Sequence, residues 1–331
     1  METVMSGRYE RTALIDEKVK DGLQDYPPIL MKYFRKSARY QATSRHVMIN
    51  AIKRFIDYLK NEVKIDVMTD DWYTNVTEET ILNYVDHIKV RTCRDGKKKP
   101  LSAASIHTTW KYLNNFFGFL VRENYITDNP VEATEEYLQK SKVRRKVVYM
   151  TPDEVREVKE RIIKYSPEPE RDLCIFMLGC RTGLRQSAII DIDISDIDFK
   201  EKSIRVIEKG NVDKDILIDD DTIRLINEYL KVRGDKPDTD ALFVKTTLHD
   251  ECVRINSWDM KVILERSTID LSKRITPHKM RATCATNLYI ETGDIFMVAE
   301  RLGHYNIENT RRYTDAVGKA RQASNIMGNI F

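Results

Sequence analysis

Leu302-Gly-His304-Tyr-Asn-Ile-Glu-Asn-Thr-Arg-Arg-Tyr313-Thr314 is the stretch on which the reading of this 331-residue chain turns. It sets an imidazole nine residues ahead of a phenol, and three upstream segments carry residues of matching chemistry. These are Arg185 in Thr182-Gly-Leu-Arg185, Lys209 in Glu208-Lys-Gly-Asn211, and the pair His278 and Arg281 in Thr276-Pro-His-Lys-Met-Arg281. His278 and Arg281 are three apart, so on a helix both side chains share one face. Two converging guanidinium forks suit phosphate oxygens better than a carboxylate or a carbonyl. A lysine at a hairpin tip can donate a proton, and a tyrosine oxygen is a covalent nucleophile once its anion is stabilised. The set describes phosphoryl transfer in which fixed cations, rather than magnesium, stabilise the charge of the transition state. Each member alone has an ordinary reading: Arg185 as a surface ion-pairing residue, Lys209 as hairpin decoration, His278 and His304 as satisfied polar groups, Tyr313 as packing. The order and spacing of all six argue for chemistry.

Working outward, the second half alternates elements. Thr151-Pro-Asp-Glu154 has a cap, a proline at the first helical position and acids in the first turn, and so opens a helix. Helices are expected over 171–180, 222–232, 257–265, 278–291 and 294–302, with a last one around Tyr313. Residues 203–207 and 215–218 alternate in the strand period, joined by a hairpin with Gly-Asn in its turn. This half is expected to be a helix-rich α+β domain with one small sheet. In the first half, Met48, Ile49, Ile52, Phe55, Ile56 and Leu59 form one helical stripe, with Ser44 as its N-cap. A second stripe runs from Ser102 through Trp110, Leu113, Phe116, Phe117 and Leu120, and a third helix covers 77–91. With Asn129-Pro130 ending the bundle, this half reads as a small all-α domain whose aromatic residues, Trp110 and Phe117 among them, form core.

Lys140-Ser-Lys-Val-Arg-Arg-Lys146 separates the halves with five basic residues in seven. It reads either as a solvated linker or as a strap across a phosphate backbone. Net charge is only +3, but residues 1–150 carry 26 basic against 20 acidic side chains, or +6, and the remainder 29 against 32, or −3. A mildly basic first half with local clusters suits a nucleic-acid clamp. The five cysteines (Cys93, Cys174, Cys180, Cys252, Cys284) are odd in number and include no C-x-x-C pair, which fits free thiols in a reducing cytoplasm. No apolar run is long enough to span a bilayer, so no membrane partner is expected.

The second half resembles the catalytic domain of the tyrosine recombinase, or phage integrase, family. Thr182-Gly-Leu-Arg185 looks like that family's first arginine motif and Glu208-Lys-Gly-Asn211 like its hairpin lysine motif. Thr276-Pro-His-Lys-Met-Arg281 is similar to its H-x-x-R box, and the 302–314 stretch to its nucleophile box. Three positions depart from the pattern: Ala188, where an acid often follows the first arginine; Ala282, where His often follows the second; and Glu208, where Gly often precedes the lysine. The resemblance covers about 150–315 and extends weakly over the helical half, including Tyr125-Ile-Thr-Asp-Asn-Pro130.

The resemblance implies a mainly α fold with a small β-sheet. An arm or short helix (1–27), a helical core-binding domain (28–138), a basic linker (139–150), a catalytic domain (151–315) and a tail (316–331) that neighbours exchange would follow in order. It implies a site-specific recombinase that cuts DNA through a 3′-phosphotyrosyl link to Tyr313. Arg185 and Arg281 would hold the non-bridging oxygens and His304 bond to one of them, with Lys209 as general acid and His278 as base partner of the tyrosine. No cofactor and no metal are needed. Double-stranded DNA is the implied partner, gripped also by Lys142, Arg144, Arg145 and Lys146, and bound by a homo-tetramer across two sites with room for accessory DNA-bending proteins. A type IB topoisomerase-like relaxing enzyme and an inert DNA-binding regulator on the same fold are the rival readings.

Overall fold

A computed structural model describes residues 7–92, 98–138, 147–208, 212–235, 239–247, 251–269, 271, 273–304 and 306–314. The chain falls into two compact units, Tyr9–Arg144 and Arg145–Phe331, the latter grouped with Met1–Arg8.

In the first unit five helices, α1 (Gly7–Asp21), α2 (Pro28–Lys36), α3 (Ala42–Tyr58), α4 (Glu78–Ile88) and α5 (Ala103–Arg122), surround one aromatic core. The expected stripes face inward: Ile52, Phe55, Phe116, Phe117 and Leu120 are fully buried. Phe55 meets Tyr84 edge-on at 4.9 Å and Phe116 meets Tyr33 at 5.2 Å, the tilted geometry that ring quadrupoles favour. Trp110 is core, as expected, and its indole N–H donates to the buried Thr134 hydroxyl at 2.8 Å. Thr77 caps α4 through a capping box, and Ser102 caps α5.

Four expectations need correction here. Ser44 is not the cap of α3, which begins at Ala42 behind Gln41. The helix expected over 77–91 stops at Ile88, because Val90–Thr92 (β1) pairs antiparallel with Lys98–Pro100 (β2), so the unit is not all-α. The core continues beyond Asn129-Pro130 through Val131 and Leu138, with a 3₁₀ turn at Glu132–Tyr137 between them. The segment expected as an arm or a short helix ahead of the bundle carries α1 and packs against it: Val19 and Leu23 are buried in the same cluster as Leu30, and Arg45 pairs with Asp16.

The second unit centres on α7 (Pro169–Thr182), longer at both ends than expected, with Ile175, Phe176 and Leu178 fully buried. It packs against α6 (Pro152–Tyr165), α9 (Asp220–Arg233) and α11 (Pro277–Thr292). The cap and first-turn acids of α6 are present as expected, with Thr151 and Glu154 in a reciprocal box. A short helix, α8 (Gln186–Asp191), leads into an antiparallel sheet of β3 (Ile197–Asp198), β4 (Ser203–Glu208) and β5 (Val212–Leu217), in that order. Register places Ile204 opposite Ile216 and Val206 opposite Lys214, so one sheet face lies on the core. The expectation of one small sheet falls short: β6 (Val244–Thr246) and β7 (Cys252–Arg254) form a second ribbon. The remaining elements are α10 (Ser257–Ser267), α12 (Ile295–Leu302) and α13 (Glu308–Thr314). Among the described residues no helix is long and apolar enough to cross a membrane.

Candidate active site

Three helix ends build the site. α7 terminates at Gly183, whose φ of +67° is the left-handed conformation that needs no Cβ. A Cβ there would stand 2.7 Å from Leu302 Cδ2, so the Leu302 side chain packs directly on this backbone. The turn is fixed by Thr182, whose hydroxyl donates to the Leu178 carbonyl at 2.6 Å and accepts from the Leu184 amide at 3.3 Å. It delivers Arg185 as the half-buried residue just before α8.

α11 opens at Thr276, whose side chain caps the Lys279 amide, and puts Arg281 at the end of its first turn, 4% exposed. The Arg281 guanidinium donates to the Gly183 carbonyl through Nη1 and to the Leu302 carbonyl through Nη2, both at 2.6 Å. Its Nη2 also lies 3.0 Å from His304 Nε2. Because arginine only donates, His304 Nε2 accepts, and its Nδ1 carries the hydrogen donated to the Thr310 hydroxyl oxygen at 2.9 Å. α12 ends at Gly303, again at positive φ (+64°), which turns His304 toward Arg281.

α13 supplies Tyr313. The phenol is 5% exposed, packed with Ala282, Ala285, Val298 and Leu302, and its ring lies parallel to that of His304 at 6.3 Å. Its hydroxyl is a hydrogen-bond and charge partner of Arg281, and it also acts electrostatically on Arg185. Arg312 lies over the Tyr313 ring at 5.2 Å.

The electrostatics follow from that crowding. Burial, and then each other's charge in the case of Arg185, lower the pKa values of Arg185 and Arg281, while Tyr313 opposes the change in both. No carboxylate of the described residues is among the groups that shift either one. His304 is pushed down to about 4, chiefly by burial and then by Arg281, Arg185 and Arg312. A buried phenol beside two guanidinium groups is a place that suits an anion.

Four of the six expected residues, Arg185, Arg281, His304 and Tyr313, are therefore brought together, all from one chain. His278 is exposed in the first turn of α11, and no hydrogen bond or ion pair ties it to those four. Lys209 lies outside the described residues, between Glu208 and Val212, which face each other across the hairpin. Lys142, Arg144, Arg145, Lys146 and the tail at 316–331 also lie outside them. The sequence reading missed Thr310 and Arg312. A hydroxyl three residues ahead of the phenol, one helical turn away, was the available signal for Thr310.

The Phage integrase family model matches residues 148–319, just over half of the chain and all the residues of this cluster. The chain belongs to the phage integrase family. It is thus a tyrosine recombinase, an enzyme of site-specific DNA cleavage and rejoining. It is 30% identical over 226 residues to tyrosine recombinase XerC of Vibrio vulnificus (strain YJ016), covering 66% of this chain and 68% of that protein. With tyrosine recombinase XerC of Caldanaerobacter subterraneus subsp. tengcongensis it shares 28% identity over 305 residues, 87% of this chain and 83% of the relative. The family fold recurs in the XerH site-specific recombinase bound to palindromic difH substrate, with a TM-score of 0.65 at 18% identity, covering 89% of this chain and 83% of that one. It recurs also in the Tn1549 transposon integrase in complex with circular intermediate DNA, with a TM-score of 0.63 at 18% identity, covering 89% and 98%.

Proposed function

We propose that this recombinase cuts and rejoins double-stranded DNA at specific sites with Tyr313 as nucleophile and Arg185, Arg281 and His304 as the phosphate-holding groups. The observation that carries the assignment is the buried Tyr313 beside Arg281, its ring parallel to that of His304 at 6.3 Å, with His304 Nε2 in turn 3.0 Å from Arg281 Nη2.

The reaction conserves bonds. The Tyr313 oxygen attacks phosphorus as its own proton leaves; the bond from phosphorus to the 5′-oxygen breaks, and that oxygen takes a proton. The products are a 3′-phosphotyrosyl ester and a free 5′-hydroxyl. Attack on the ester by the 5′-hydroxyl of a partner strand restores a phosphodiester, so no nucleotide cofactor enters. Arg185 and Arg281 receive the charge that develops on the non-bridging oxygens, a role supported by their burial side by side. His304 is uncharged in the free protein, with Nε2 accepting from Arg281. A phosphate entering the pocket opposes the field of the arginines, raises the His304 pKa and lets Nε2 take up a proton to donate. Lys209 protonates the leaving 5′-oxygen, and His278 serves the proton of Tyr313; both roles rest on the family resemblance. The basic segment at 140–146 contributes Lys142, Arg144, Arg145 and Lys146 to the DNA backbone, and a homo-tetramer brings two duplexes together.

The test is covalent trapping. Duplexes of randomised sequence carrying a nick, so that the short 5′-hydroxyl fragment diffuses away after cleavage, are incubated with the full chain, and denaturant-stable adducts are sequenced. Adducts that converge on one motif and vanish in Tyr313→Phe, with duplex affinity within about twofold, are the expected result. An equal adduct yield from Tyr313→Phe would move the nucleophile elsewhere, and no adduct from the unaltered protein would leave only DNA binding.

A further inference from the structure

Arg301 belongs to none of the recognised motifs, yet it touches three of the segments that carry them. Its Nη2 donates to the Arg181 carbonyl at 2.9 Å, in the last turn of α7 and four residues before Arg185. Its Nη1 donates to the Leu217 carbonyl at 2.8 Å, where β5 ends. It also acts electrostatically on Cys284, one turn beyond Arg281 on α11, whose Sγ donates to the same Arg181 carbonyl at 3.4 Å. The neighbouring residues are tied as well. Lys214, on the same face of β5 as the buried Ile216, donates to the Glu300 carbonyl at 2.6 Å, and Arg281 takes the Leu302 carbonyl. Residues 300–302 are thereby held one after another immediately ahead of Gly303 and His304.

The α7 terminus explains why arginine suits this place. The last carbonyls of a helix lack intrahelical donors and sit at the negative end of its dipole, so they accept from cations. Arg181 and Gly183 present two such carbonyls, taken by Arg301 and Arg281 respectively. The two guanidinium groups are thus braced on one helix end, and the second of them is also a partner of Tyr313. A planar fork can reach two carbonyls in two elements at fixed angles, whereas an ammonium is a single point of charge.

We infer that Arg301 is a positioning residue for the phosphate-holding pair, bracing the α7 terminus, β5 and the approach to His304 so that Arg185 and Arg281 converge on one phosphate. It reaches no reacting atom itself. The inference rests on the assignment of Arg281 to the non-bridging oxygens.

The experiment uses nicked duplexes of the sequence recovered by Tyr313 trapping. One version carries the ordinary scissile phosphodiester, and the other a methylphosphonate in which a methyl group replaces one charged oxygen. Single-turnover cleavage is compared for the unaltered protein, Arg301→Met, Arg301→Lys and Arg281→Ala. A displacement near 1 Å at a reacting group costs on the order of 10²-fold in rate. Both Arg301 variants are therefore expected to cleave the phosphodiester about 10- to 100-fold slower, with duplex affinity within about twofold. On the neutral methylphosphonate they should come back to within about fivefold of the unaltered protein, because the charge the arginines must meet is gone. Arg301→Lys keeps the charge and most of the packing, so it remains informative if Arg301→Met does not fold. Equal slowing on both substrates, or cleavage of the phosphodiester at the unaltered rate, overturns the inference. Failure of the methylphosphonate to help Arg281→Ala instead overturns the role given to Arg281 and takes the inference down with it.

Discussion

Besides partnering the Tyr313 hydroxyl, Arg281 uses its two terminal nitrogens to serve the carbonyls of Gly183 and Leu302 and the imidazole of His304. That division requires a fork. Arg281→Lys keeps a positive charge but has one donor atom, and adduct formation is expected to fall about 10²- to 10³-fold, the loss typical of removing one oriented donor from a developing charge. Single-turnover trapping measures it, and a loss below about fivefold would show that charge alone suffices. The pKa of His304 is pushed down, the same way as that of Arg281, chiefly by burial and then by Arg281, Arg185 and Arg312. Its pKa in the folded protein is about 4 against an ordinary 6.5, so between those values the unfolded chain holds a proton that the folded chain does not. Stability is therefore fully present above pH 6.5 and erodes as pH falls toward 4. Allowing for solvent screening of a partly exposed ring, the erosion should be roughly 1–2 kcal/mol. Urea unfolding at pH 7 and pH 4.5 should show it, and His304→Gln should remove that part of the slope; an identical slope in the variant would assign it to other groups. The identities of these residues were legible in the sequence because each chemical role demands a particular side chain. The supports were not, because Arg301 and Lys214 act on backbone carbonyls, and a carbonyl has the same chemistry at every position.

At the scale of elements, the α7 terminus is the piece on which the site hangs. Gly183 stands at positive φ, its carbonyl holds Arg281, and its α-carbon faces Leu302 and Cys284. Gly183→Ala would force a Cβ to 2.7 Å from Leu302 Cδ2 and 3.2 Å from Cys284 Sγ, in a backbone conformation that itself costs alanine about 1 kcal/mol. A loss of roughly 2–3 kcal/mol in unfolding free energy is expected, and at temperatures where the variant is still folded adduct formation should drop at least tenfold, because the acceptor for Arg281 moves. Thermal unfolding and trapping on the same preparation separate the two effects; a destabilised protein with unaltered cleavage would break the link between this turn and the site. Elements whose ends carry their own chemistry were readable from sequence, as at Thr151-Pro152 ahead of α6, Ser102 ahead of α5 and Thr77 ahead of α4. The ribbons were not. Val90–Thr92 and Val244–Thr246 are three residues each, shorter than any hydrophobic period can reveal, and exist through pairing with partners further along the chain. Val19 and Leu23 likewise look incidental in a polar segment until the bundle supplies the surface that buries them.

At the scale of the whole molecule, charge is distributed rather than abundant. The net excess of +3 is too small to explain duplex binding by itself, but residues 1–150 carry +6, and five of their basic side chains fall within seven positions at 140–146. Binding through phosphate contacts releases counterions, so each neutralised phosphate adds about 0.9 to the slope of log affinity against log salt. If Lys142, Arg144, Arg145 and Lys146 each meet one phosphate, converting all four to glutamine should flatten that slope by about 3 to 4. The measurement needs no knowledge of the target sequence: fluorescence anisotropy on an arbitrary duplex between 50 and 200 mM salt reads the nonspecific, backbone-directed part of binding. The expected result is weaker binding at low salt with the curves of variant and unaltered protein converging as salt rises, since the lost contacts are those that salt already screens. An unchanged slope with unchanged affinity would make the segment a plain connector between the two units and place the phosphate contacts on the units themselves.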